Sequence, residues 1–302
     1  MTTGASRRCA FLTRGDDGPI TSDDALAARC LEQRGVEVVA APWRGPVPEV
    51  ELVVVRSPWD YKSHPEAFLG TLREWSKRVR IANHPELIAW NAEKTYLNGL
   101  AETGAEIVPT RFLGPEQVVD ERALAAAVNA VVGGLGGQVV IKPTVGASAE
   151  QTYAIAAGDS LDEVASAYRE RPGAGAMLQP RVQNVSSEGE FSVLYFGGVY
   201  SHTVLKTPRA GDFRVQEEYG GRNVLAEPEP ELLRSAQRAL EAARTQVPGA
   251  DPALYARVDL VRSDADRTRF WLMELELIEP ALLLGMHPDA PQRFADAIAA
   301  FA

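Results

Sequence analysis

The sequence predicts an α/β chain folded into two or three packed lobes, and three observations lead there. The 302 residues are 45% hydrophobic and 24% charged, a globular composition in a chain too long for one small core. Residues 8–57 alternate strand, helix and strand, the order of a small parallel sheet. Later strands come in runs with turns between them.

RCAFL at 8–12 reads as a short buried strand, and DDALAARCLEQRG at 23–35 as a helix that Ser22 or Asp23 can cap and Gly35 can end. VEVVA at 36–40 and ELVVVRS at 51–57 are the next strands. HPEAFLGTLREWSKR is helical, VRIAN at 79–83 a strand, and PELIAWNAEKTYLNGLAETG one further helix. Composition then shifts to an Ala-rich helix at 120–132, a turn at GGLGGQ and a strand at VVIKP. VGASAEQTYAI holds a small-residue loop and a strand, and DSLDEVASAYRE is a helix. MLQPRV, EFSVLYFGG and VYSHTVLKT are strands, and PEPELLRSAQRALEAART is a long helix. YARVDLVR and FWLMELELIEP are strands expected to be neighbours, and PQRFADAIAAFA closes as a helix.

Several functions are disfavoured. A net charge of −10 argues against sequence-independent nucleic-acid binding. No run reaches the ~18 apolar residues of a membrane span, and no signal peptide is apparent. Two cysteines, Cys9 and Cys30, exclude a disulfide framework and point to a reducing cytoplasm. The glycines at 133–137 precede a strand, whereas a dinucleotide loop follows one. No phosphate-binding G-x-x-x-x-G-K-[ST] loop and no G-x-S-x-G elbow occur, and the four histidines lack metal-ligand spacing.

Two features carry chemistry. On a strand, Leu272, Glu274, Glu276 and Ile278 share one face and Met273, Leu275 and Leu277 the other, so the two glutamates stand ~7 Å apart on one side. Arg257 and Asp259 share a face likewise. If the strands pair, three carboxylates converge beside one arginine. Such a cluster repels itself without a cation, and its oxygens suit Mg²⁺ completed by substrate phosphates; a solvated polar sheet face is the alternative. Lys142 leaves a strand just ahead of Gly146, Ala147 and Ser148, a loop whose backbone can approach phosphate closely. An ordinary edge-strand lysine is the other reading.

Lys94, Lys142 with its small loop, Glu190 in GEFSV, Lys206, Arg214, Arg257-x-Asp259 and Glu274-x-Glu276, in that order, resemble the ATP-grasp superfamily over nearly the whole chain. D-alanine–D-alanine ligases and glutathione synthetases are similar. RSPWDY at 56–61 and MELELIEPALLL at 273–284 resemble a narrower subgroup that includes the O-ureido-D-serine cyclo-ligase of D-cycloserine biosynthesis. The resemblance implies three lobes, 1–90, 91–178 and 179–302: a small parallel α/β lobe, then two antiparallel-sheet lobes sandwiching ATP. It implies that Lys94 and Lys142 contact ATP with Gly146 and Ser148, that the hinge strand Gln179, Arg181, Val182 reads adenine, and that Glu190 binds ribose. Lys206, Arg214 and Arg257 would stabilise transferred charge, and Asp259, Glu274 and Glu276 would hold two Mg²⁺. Many relatives carry Asn at position 276, and the extra charge here is expected to tighten divalent binding and depress the ligands' proton affinity.

The implied chemistry is activation of a carboxylate by ATP and its capture by a nitrogen, on a small amino-acid-like substrate. Other amino-acid or peptide ligases, or a silent nucleotide-binding module, are the alternatives, and a homo-oligomer is left open. Arg14, Asp16, Arg56, Ser57, Trp59 and Asp60 follow parallel strands at their carboxyl ends, where such sheets bind ligands. They are the candidates for substrate contact; Trp59 has lobe packing as its alternative.

Overall fold

The computed structural model describes residues 7–135, 137–146, 149–171, 173–247 and 253–301. Strand β1 (Arg7–Thr13), helix α1 (Asp24–Glu32), β2 (Val36–Pro42), β3 (Leu52–Ser57), α2 (Pro65–Ser76) and β4 (Arg80–Ala82) build a parallel sheet in the order β2-β1-β3-β4. Every residue of β3 is buried, as a strand covered on both faces must be. Phe68, Leu72 and Trp75 of α2 cover one face.

The cap of α1 differs from expectation. Asp23 makes no cap bond to its helix; its carboxylate accepts from the Leu284 and Gly285 amides. The Thr21 hydroxyl accepts from Asp24 N instead. Gly35 ends the turn after α1 at a φ of 76°, which suits glycine.

The single helix expected after residue 85 is two, α3 (Pro85–Asn91) and α4 (Tyr96–Glu102). At the break, Lys94 N donates to Thr144 O. Next come β5 (Arg111–Leu113), α5 (Pro115–Val119), α6 (Glu121–Leu135), β6 (Val139–Pro143), β7 (Tyr153–Ile155), α7 (Asp162–Arg169) and β8 (Ala176–Pro180). Helix α6 runs on through Gly133 and Gly134, where the sequence suggested a turn. The strands form an antiparallel sheet, β5-β8-β6-β7. Helices α6 and α7 cover it through Leu124, Val128, Val164 and Tyr168.

The third sheet follows α8 (Gln183–Ser187): β9 (Glu190–Phe196), β10 (Val199–Thr207), β11 (Arg222–Leu225), α9 (Pro230–Gln246), β12 (Tyr255–Arg262), β13 (Phe270–Glu276) and α10 (Ala290–Phe301). Its strands lie antiparallel in the order β11-β10-β9-β12-β13. Helix α9 packs Leu232, Ala236 and Ala239 on one face with Val258, Leu260 and Leu275. Another cluster joins this sheet to the parallel one: Leu194, Phe196 and Tyr255 meet Cys9, Phe11 and Leu31 together with Phe294 and Ile298 of α10. The short elements β5, α5, α8 and β11 were not legible in the sequence. They are too short to show a period.

Candidate active site

The site is built on β12 and β13. Asp259 pairs with Glu274 and Arg257 with Glu276, so all four side chains leave the same stretch of hairpin. The register shifts between Asp259 and Leu260, and Leu260 then pairs with Leu272. Met273 is therefore an extra residue, a bulge. Leu272 and Leu275 both enter the core, while Met273 and Glu274 both line the cavity. This corrects the strict alternation expected of the sequence, which put Leu272 beside Glu274 and Met273 in the core.

The carboxylates are distributed over cations. Arg257 donates to Asp259 at 3.0 Å and also binds Glu276. Glu274 meets Lys94 Nζ at 3.1 Å. Ser192 donates to Asp259 at 2.5 Å, and Lys206 lies 3.5 Å from it. Burial opposes the charge on Asp259, but Arg257 and Lys206 outweigh it and hold the group down to about 2. Burial is likewise outweighed at Glu274, by Lys94 and Lys142, and its carboxyl sits below the usual glutamate range. Glu276 moves the other way. Burial, with Glu274 and Asp259 adding to it, overcomes Arg257 and pushes Glu276 up to about 8. At Glu276 like charges sharing a buried space thus raise proton affinity, against the expectation from sequence, whereas Asp259 and Glu274 are depressed, by their cations rather than by the extra charge.

Among the described residues no group of three His, Cys, Asp or Glu is arranged as a metal cage. The donor chemistry nevertheless fits magnesium. Mg²⁺ takes one or two protein carboxylates and completes its shell with phosphate oxygens and water. Asp259 and Glu274 are cross-strand partners facing one open cavity, which is such a donor set.

Three lysines surround these acids. The break between α3 and α4 turns Lys94 inward, and its Nζ donates to Gly146 O at 2.5 Å. Lys142, on β6, lines the same space. Burial pulls its ammonium below the usual lysine value; Glu274 opposes that and Lys94 adds to it. Lys206 and Glu190 are cross-strand partners joined at 2.6 Å. Gly189 makes that approach possible: a Cβ there would stand 2.6 Å from Lys206 O, and its φ is 122°.

The cavity they enclose measures about 520 Å³, within the range of small-molecule sites. It gathers Lys94, Lys142, Gly146, Gln179, Arg181, Val182, Glu190, Lys206, Arg214, Arg257, Asp259, Glu274, Glu276 and Trp59. Arg214 is held by Asp212 at 2.9 Å and stacks 3.8 Å from the Tyr219 ring centre. Ser148 lies outside the described residues.

Most substrate candidates from the parallel sheet are elsewhere. Arg56 is 2% exposed and fully engaged: it donates to Asp24 at 2.8 Å, to Pro280 O at 2.8 Å and to Val55 O at 3.3 Å. Ser57 is buried beside it in the strand. Arg14 and Asp16 pair with each other on the surface, and Asp60 accepts from Trp43 Nε1 and Gly15 N. None of these five lines the cavity. The rule that ligands sit at strand ends led to the segment after β3, where Trp59 and Tyr61 line the cavity, but not to which side chains face inward. Sequence reasoning missed Tyr61, Phe213 and Glu279, which do line it. Tyr61 and Glu279 sit inside the quoted stretches RSPWDY and MELELIEPALLL, and that nearness was the only signal available.

A comparison with known proteins settles the family. The family model described as the N-terminal domain of D-cycloserine synthetase DcsG matches residues 9–83. The cycloserine biosynthesis protein DcsG of Streptomyces lavendulae is 32% identical over 265 residues, covering 82% of each chain. The chain belongs to the DcsG family of ATP-grasp ligases. A crystal structure of D-cycloserine synthetase DcsG superposes with a TM-score of 0.84 at 27% identity, covering 97% of this chain and 99% of that one. A D-alanine–D-alanine ligase from Bacillus anthracis, 14% identical with a TM-score of 0.64 over 97% of this chain and 95% of that one, shares the fold. The chain is thus an ATP-dependent ligase, with magnesium typical of its fold. Among the described residues no helix is long and apolar enough to cross a membrane.

Proposed function

We propose that this ligase acts in cycloserine biosynthesis as a cyclo-ligase on O-ureido-D-serine. One observation carries the reading: Arg257, Lys94, Lys142 and Lys206 interleave with Asp259, Glu190, Glu274 and Glu276 in one cavity, the charge pattern that transfer of a phosphoryl group to a carboxylate requires. A carboxylate oxygen of the substrate attacks the γ-phosphorus of ATP and the β–γ bridge bond breaks, leaving an acyl phosphate and ADP. The ureido nitrogen bonded to oxygen attacks the acyl carbon, the carbon–phosphate bond breaks, and the nitrogen proton goes to the departing phosphate. Loss of the carbamoyl group as CO₂ and NH₃ consumes one water.

The residues divide this work. Lys94, Lys142 and Lys206 bind the anionic phosphates. Arg257 balances charge that builds on the acyl phosphate, and Arg214 reaches in from the β10–β11 connection. Gln179, Arg181 and Val182 border the adenine side, and Glu190 the ribose. Asp259 and Glu274, with Glu276, would hold magnesium, which supplies charge neutralisation to the phosphates when bound. Residues 1–90, 91–178 and 179–302 are read as the three lobes, and the two free cysteines suit a cytoplasmic enzyme. Because the nucleophile belongs to the activated molecule, effective concentrations of ~10⁵ M are within reach and no second substrate pocket is needed.

The test is ADP release with ATP, Mg²⁺ and a panel of amino acids. Turnover with O-ureido-D-serine alone, yielding cycloserine, is the expected result. A requirement for two co-substrates would make the chain a peptide-type ligase, and no ADP with any of them would remove catalysis.

A further inference from the structure

Each cavity carboxylate discussed so far has a cation: Glu274 has Lys94, Glu190 has Lys206, and Asp259 and Glu276 have Arg257. Glu279 is different. It is 9% exposed, lines the cavity and makes no ion pair among the described residues. Tyr61 stands against its carboxyl, and Tyr61 also feels Glu276 and Glu274, so the Glu279–Tyr61 pair borders the acidic trio.

A buried carboxylate whose near partner is a neutral tyrosine hydroxyl is costly to keep charged unless a cation joins it. The molecule holds this one in place all the same. The turn that carries it is clamped on every side: Asn83 donates to Leu277 O, Trp59 Nε1 to Glu279 O, Arg56 to Pro280 O and Arg257 to Ala281 O. Asn91 accepts from Leu277 N. A rigidly presented acid without an ion-pair partner is preorganised for a cation that arrives with the ligand. Tyr61 and Trp59 present aromatic surface on that side of the cavity. Such walls suit an organic ammonium, through cation–π attraction, better than a divalent ion that wants oxygen ligands.

We propose that Glu279, with Tyr61 beside it, receives the α-ammonium of the amino-acid substrate and sets the specificity for it. This rests on the function proposed above. There the α-amine leaves the reaction unchanged while a different nitrogen closes the ring. Holding the amine as an ammonium on Glu279 keeps it out of the chemistry and aims the carboxylate, two bonds away, at the Arg257 side. Burial, with Glu274 adding to it, pushes the Glu279 carboxyl up to about 7 against Tyr61 and Lys94, and a nearby ammonium would favour its charged form.

The experiment compares wild type with E279Q, E279D and Y61F, using O-ureido-D-serine and its des-amino analogue. E279Q is expected to raise the KM for the amino acid by on the order of 10²-fold, with the KM for ATP and the Mg²⁺ dependence unchanged. It also erases the preference over the des-amino analogue, and E279D restores part of that preference. Thermal unfolding of E279Q at or above the wild-type midpoint shows that the effect is not misfolding. A KM within about twofold of wild type would overturn the proposal, as would a shift in Mg²⁺ dependence instead. Inactivity of the wild type toward O-ureido-D-serine would sink the reading of function, not this one. Glu279 is then judged by calorimetric binding of α-amino acids and their des-amino counterparts. Amine-dependent binding that E279Q loses supports the assignment, and amine-independent binding or none removes it.

Discussion

Charges at the carboxyl ends of the parallel sheet and charges on the five-stranded antiparallel sheet meet opposite fates. In the first region Arg56 is consumed by Asp24 and two backbone carbonyls, Asp60 by Trp43 and Gly15, and Arg14 by Asp16. In the second, Arg257, Asp259, Glu274 and Glu276 pair with one another or with Lys94 while still facing a large cavity. The lesson is that a buried charge is a ligand group only where its partners leave it open to the cavity. Arg56 still serves the site, because it grips the turn that carries Glu279.

The comparison can be broken most forcefully at Glu274. Glu274→Gln should lower kcat/KM by on the order of 10³, since a charge that organises phosphoryl transfer is lost. The thermal midpoint should move by less than about 4 °C. Near-normal turnover would remove the metal assignment. Arg56→Met should do the reverse and cost about 3–5 kcal/mol in urea unfolding, because Asp24 is left charged and buried without its partner. A loss under about 1 kcal/mol would show that the pair is not a strut.

On the antiparallel sheet, away from the cavity-facing charges, His202 is buried on β10 against Phe196 and His287. Burial first, then His287 and Arg293, hold its imidazole down to about 4 from 6.5. The unfolded chain takes up that proton below pH 6.5, so stability is full above 6.5 and drains as pH falls toward 4. The loss is on the order of 3 kcal/mol. Unfolding free energies of wild type and His202→Phe across pH 4–7 check it: the slope should flatten in the variant. The smallest effect is expected at Arg14. Arg14→Ala removes an exposed pair and should change stability by less than about 0.5 kcal/mol, with substrate KM unmoved. A tenfold rise in KM would return Arg14 to the substrate site.

Strand and helix periods made the parallel sheet and most later strands legible, because burial on one or both faces dictates which residues alternate; their gathering into two antiparallel sheets came from the resemblance. The same periods made Arg257, Asp259, Glu274 and Glu276 stand out as charges inside apolar strands. Periodicity could not show the bulge at Met273, which depends on how β13 is matched to β12. Nor could it show the helix break at Lys94, where Asn91 and Tyr96 turn aside to bond the backbone of β13. Local preference alone favours one continuous helix there.

By itself, then, the sequence determined the class and the charged set on the late strands, which follow from composition, spacing and residue type, and it pointed to the family by resemblance. Only the tertiary structure decided which charges remain open. Arg56 and Lys94 are both cations among apolar neighbours in the sequence. One is sealed by contacts 224 residues away at Pro280 and the other is turned into the cavity toward Glu274. Pairings between such distant segments are settled by packing, and no local pattern encodes them.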